Sequence, residues 1–204
     1  MRKLFGEPLN FDWRVATVTV VSTLLLITDR YRAFLPDKYW DRTVLYFVIP
    51  LLITLVVFRQ NPREYGFSFG NWKLGLVYTI GGILLMAPAI YLLGRGNDSM
   101  QSYYAGHLIG LPWTTLLDLV GWEFFFRGWI LFAYTRRFGA DALWLQAVPF
   151  ALAHIGKPEI ETLSTIFGGF AFGWVAWRTK SFFYPLLIHW FIATFIILVA
   201  AGVV

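Results

Sequence analysis

Cysteine is absent from the 204 residues. That excludes a disulfide framework, a thiol nucleophile and any cysteine-ligated metal. Charge is scarce as well: Asp, Glu, Lys and Arg make up 14% of the chain, against 58% hydrophobic residues. A soluble domain carries about 25% charged and 45–50% apolar residues, so the balance implies a membrane protein. There is no internal repeat, low-complexity tract or long run of charge. No polar Pro/Gly/Ser-rich linker is long enough to divide the chain, so residues 1–204 read as one membrane domain. The first apolar run ends in Asp29-Arg30 without a small-residue cleavage site, which makes it an uncleaved span and not a signal peptide. The formal net charge of +5 raises nucleic acid as a partner. The cations stand at the ends of apolar segments, however, where they act as topology signals and headgroup anchors. No nucleic acid is expected; the bilayer is.

Seven apolar segments can be drawn: Val15–Thr28, Thr43–Phe58, Leu74–Leu93, Leu108–Tyr134, Ala140–Ile155, Thr162–Trp177 and Phe182–Val204. A span needs roughly 20 residues. The third, fourth and seventh segments qualify alone, and the others need their aromatic and basic flanks. Open sheet edges cannot be satisfied in lipid, and no alternating ten-residue pattern marks a barrel. The fold class is therefore all-α, a multi-pass transmembrane bundle of about seven spans. Arg2, Lys3, Arg14, Arg59, Arg63, Lys73, Arg136, Arg137, Arg178 and Lys180 fall on the amino-terminal side, and Arg30, Arg32, Lys38, Arg42, Arg95 and Lys157 on the other. The excess predicts a cell-membrane protein with a cytoplasmic amino terminus, although four of the six opposing cations crowd the first loop. Pro50, Pro88 and Pro149 should kink their segments. Gly169 and Gly173 form a small-x-x-x-small step suited to close internal helix packing.

One stretch carries charge where it is expensive. In LLDLVGWEFFFRGWIL, residues 116–131, Glu123 and Arg127 stand four residues apart inside an aromatic run. On a helix they share a face and can pair. An ionisable group at membrane depth costs at least ~2.5–3.5 kcal/mol, so it faces a protein interior and marks function. His154 closes the fifth segment, His189 lies early in the seventh, and Asp118 precedes Glu123 by five residues. With a rise of 1.5 Å per residue, Glu123 and His154 lie roughly 20 and 21 Å inward from the basic side, and His189 only about 10 Å. The matched depths predict that Glu123, Arg127 and His154 surround one interior cavity; either the seventh helix begins deeper than drawn or His189 is a second-layer residue.

WEFFFRG, then FALAH, then a helical histidine in IHWFIAT together resemble the CPBP family, the CAAX-protease and bacteriocin-processing membrane proteins. The family motifs are Glu-Glu-x-x-x-Arg, Phe-x-x-x-His and His-x-x-x-Asn, and the likeness covers roughly residues 108–194. The resemblance implies an intramembrane endopeptidase acting on a membrane-associated protein or peptide, without cofactor. It makes a glutamate the activator of water, His154 its acid/base partner, His189 an oxyanion stabiliser, and Arg127 the positioner of Glu123. Two His and one Glu also form a zinc set, but no His-Glu-x-x-His occurs and no metal is expected. Two positions depart from the motifs: Trp122 stands where the first Glu belongs, and Ala193 where the Asn belongs. Glu123, Asp118, Glu159 or Glu161 is then the replacement carboxylate, with Thr194 offering a hydroxyl. The other readings are a non-cleaving relative that binds a membrane peptide or partner, and a small proton-coupled transporter, which lacks an inverted repeat.

Overall fold

The computed structural model describes residues 10–104 and 106–204. Arg2 and Lys3, counted above in the charge asymmetry, lie outside the described residues. Helix α1 is Trp13–Tyr31, capped by Asp12, whose carboxylate accepts from the backbone N–H groups of Arg14 and Val15. Helix α2, Lys38–Val57, begins five residues ahead of the expected segment because the Asp41 carboxylate binds the N–H groups of Phe34 and Leu35 and ties the preceding loop to it. Pro50 lies inside α2, between two π-helical stretches. Helix α3 is Trp72–Gly94, with Asn71 as its cap, and α4 is a short helix, Asp98–Tyr104, in a stretch the sequence reads as a connection.

Helix α5 covers residues 113–138. It is α-helical over Trp113–Glu123, π-helical over Phe124–Ile130 and α-helical again over Leu131–Phe138. Helices α6 (Ala142–Leu152), α7 (Glu159–Thr179) and α8 (Phe183–Ala200) complete the chain. No strand forms among the described residues, so the architecture is the all-α bundle that the patterning implies. Among the described residues three helices are long and apolar enough to cross a membrane: α2, α3 and α8. The fourth expected segment yields that place to α2, because α5 carries the charges of Asp118, Glu123, Arg127, Arg136 and Arg137.

The bundle is apolar outside and polar within. Leu84, Leu85 and Leu92 of α3 are 70–75% exposed, whereas Glu123, Arg127 and Gln146 are fully buried. A water-soluble monomer seldom shows apolar patches beyond a few hundred Å², so lipid covers this surface. Helix α5 is the axis, with every residue from Gly121 to Ala133 buried. Glycines let its neighbours approach. A Cβ at Gly121 would stand 2.8 Å from the Arg42 carbonyl oxygen of α2, and one at Gly173 would stand 2.7 Å from the Gln146 side chain of α6. The Gly169/Gly173 step is thus used for internal packing of α6 on α7. The basic residues of the amino-terminal side meet at one end of the bundle, where Arg136 bonds Glu64 and the Lys180 carbonyl accepts from Ser68. Arg30, Lys38, Arg42 and Lys157 mark the opposite end, with Lys38 paired to Asp29 and Arg42 to Asp118.

Candidate active site

Glu123 ends the first α-helical part of α5 and is wholly buried. Its Oε1 accepts a 2.7 Å hydrogen bond from His189 Nδ1, and its Oε2 lies 3.5 Å from Arg127 Nε. Of the two readings of the His189 depth, this contact favours a last helix that begins deeper than drawn. A linear rise counted from Phe182 assumes that residue sits at the bundle's surface. Phe182 is instead fully buried, with its N–H bonded to the Gly66 carbonyl, so α8 starts deep.

Arg127 makes no hydrogen bond among the described residues. Its guanidinium is held by aromatic faces instead, 3.8 Å from the centre of the Phe150 ring and 5.1 Å from that of Phe172. A planar cation on a ring gains about 2 kcal/mol or more when desolvated, and arginine suits such stacking better than lysine. The spacing argument that pairs Arg127 with Glu123 is met. The expectation that both line a cavity with His154 is not, because the aromatic cage turns the pair into the packed interior.

His154 lies in the turn after α6. Its Nδ1 donates to the Phe150 carbonyl at 2.8 Å, since a carbonyl can only accept. The bare Nε2 is then left for another partner. Both imidazoles pack on Phe150, at ring separations of 4.5 Å for His154 and 5.9 Å for His189. Both also line a cleft with two halves. The wetter half, about 280 Å³, is bordered by Arg42, Asp118, Trp122 and Lys157. The apolar half, about 450 Å³, lies between α3, α7 and α8 and is walled by Ile90, Phe167 and Ile196. Glu123 and Arg127 are not on either wall.

Trp122 faces the wetter half and packs against His154 at 5.6 Å between rings. Ala193 borders both halves. Thr194 is turned away, its hydroxyl 3.1 Å from that of Thr115. Asp118 reaches the wetter half, where Arg42 grips both its oxygens at 2.8 and 2.9 Å. Glu161 reaches only the apolar half, where Lys157 at 2.7 Å and the Tyr104 hydroxyl at 2.6 Å hold its two oxygens. Burial, and after it the charge of Glu161, holds the Tyr104 hydroxyl well above the ordinary phenol range, so it remains a donor. Glu159 is exposed at the start of α7 and borders neither half. Sequence reasoning passed over Arg42, Tyr104, His107 and Lys157. His107 offered one signal: all three histidines of the chain border this one cleft. Among the described residues no three His, Asp or Glu side chains cluster as metal ligands would.

Residues 105–195 match the family model described as type II CAAX prenyl endopeptidase Rce1-like. Over that stretch the chain is similar to this family. This Rce1-like stretch takes in α5, α6, α7 and most of α8, so it holds Glu123, Arg127, His154 and His189 together. Its limits agree with the residues 108–194 that carry the CPBP resemblance. It leaves α1 to α4 outside, including Arg42. No curated protein and no solved structure matches the chain.

Proposed function

We propose that the chain is a multi-pass intramembrane endopeptidase of the CAAX-protease kind that cleaves a membrane-associated protein or peptide. The observation that carries this reading is the different support behind the two imidazoles on one cleft. His154 has a neutral carbonyl behind Nδ1, which leaves its Nε2 a proton acceptor for water. His189 has a carboxylate behind Nδ1. Such a partner supports the ring when it carries a second proton, so its Nε2 edge can donate to an oxyanion. Arg127 stands 3.5 Å from the other oxygen of Glu123 and positions that carboxylate. In the reaction the water oxygen bonds to the scissile carbonyl carbon and its proton passes to His154. The C–N bond then breaks as that proton is delivered to the leaving amine. The apolar half of the cleft takes the membrane-embedded part of the substrate.

Trp122 favours a second reading, a relative that binds such a peptide without cutting it. It fills the wall position where the family places a carboxylate, and water attack on an amide needs a base. One experiment separates the two. Purified protein in liposomes is given a library of membrane-anchored peptides, with and without chelator. Peptidase action predicts fragments that disappear in His154→Ala. Peptide retention without fragments identifies the binder.

A further inference from the structure

We propose that Asp118 is the carboxylate that contacts the attacking water, in place of the acidic residue that Trp122 has displaced. The proposal rests on the peptidase reading above. Asp118 lies four residues before Trp122, one turn along α5 on the same face. Its side chain is 27% exposed and borders the wetter half of the cleft, whereas that of Glu123 is 0% exposed and borders neither half. Glu161, the other carboxylate at the cleft, borders only the apolar half, where Lys157 and Tyr104 hold it.

The surroundings of Asp118 are built to hold a charge at a fixed place. Arg42 binds both oxygens and lays its guanidinium over the Trp122 ring, 5.1 Å from its centre. Residue 121 must be glycine for α2 to approach this closely, because a side chain there would strike the Arg42 carbonyl. A carboxylate offers about four lone-pair positions, and Arg42, reaching both oxygens through Nη1 alone, occupies at most two. The remaining two are free for water in the cleft. Arg42 does not neutralise Asp118 alone, since it also lies 3.5 Å from Asp29, which Lys38 holds at 2.8 Å. Two cations and two carboxylates thus form one chain, and Asp118 is its cleft-facing end. It orients the water by accepting one O–H while the other proton passes to His154 Nε2.

The test uses the full chain in liposomes with a membrane-anchored peptide that the wild type cleaves. Asp118→Asn is expected to lower kcat at least ~10²-fold with KM little changed, since the amide presents an N–H where an acceptor is needed. Asp118→Asn combined with Trp122→Glu is expected to recover at least about tenfold of that loss, because the carboxylate returns one turn away on the same face. Unimpaired cleavage by a folded Asp118→Asn overturns the assignment, as does a folded double variant no better than the single one. Should Asp118→Asn alone fail to fold, cleavage by the double variant supports the proposal and inactivity overturns it. If the wild type cleaves no peptide, the peptidase reading falls and this one falls with it. Cleavage by the wild type with Asp118→Asn intact removes only Asp118.

Discussion

Behind each imidazole at the cleft stands a different acceptor, and that difference underlies the two proposed roles. Glu123→Gln should therefore lower activity only about tenfold: its amide N–H can bond Nδ1 and leave a donor at Nε2 of His189. His154→Ala should lose at least ~10²-fold, since the proton acceptor itself is gone. Steady-state rates of the two variants check this, and an equal loss in both would make Glu123 or His189 the base. Arg127 offers a stability measurement. Removing it strands a buried carboxylate, which costs about 3–5 kcal/mol, so Arg127→Ala should melt far below wild type in detergent. Arg127→Lys should fall between them, keeping the charge but losing the flat contact with Phe150. Indistinguishable melting of all three proteins would make the pair incidental. At this scale the sequence was partly legible. The spacing of Glu123 and Arg127 announces their pairing, and the order of the motifs announces both histidines. The contact of Arg42 with Asp118 spans 76 residues, and an arginine at a helix end reads simply as a topology signal.

Most elements could be read from composition, because apolar runs bounded by caps and cations define helices directly. All seven expected segments are helical, and the shifts lie at their ends, where Asp41, Asn71 and Asp12 fix boundaries that hydropathy does not see. The change to π winding at Phe124–Ile130 was not legible. Nothing in the run FFFRGWI marks one residue too many per turn, and such windings are often found at functional sites. The close packing of α6 on α7 was legible through Gly169 and Gly173. Gly173→Val should destabilise the bundle by about 1–3 kcal/mol through overpacking, because its side chain would strike Gln146, which bonds the Leu143 and Gly169 carbonyls. Thermal unfolding in detergent reads the effect, and wild-type melting of this variant would show that the two helices can part at no cost.

For the whole molecule, the lack of cysteine becomes an experimental convenience. Single cysteines placed at Arg63 and at Arg32 lie at opposite ends of the bundle, and each provides the sole thiol for an impermeant reagent. The charge excess predicts that intact cells label the Arg32 site and spare the Arg63 site. The reverse pattern would invert the topology. The aromatic cage around Arg127 has a consequence at this scale too. The cleft runs from the Arg42 end as far as the histidines, and behind them Phe126, Phe150 and Phe172 close around the Arg127 guanidinium. Beyond that plug α5 is wholly buried down to Ala133. The bundle is a blind well and not a conduit. Such a bundle is expected to offer ions no continuous path, and liposomes carrying it should conduct no better than empty ones.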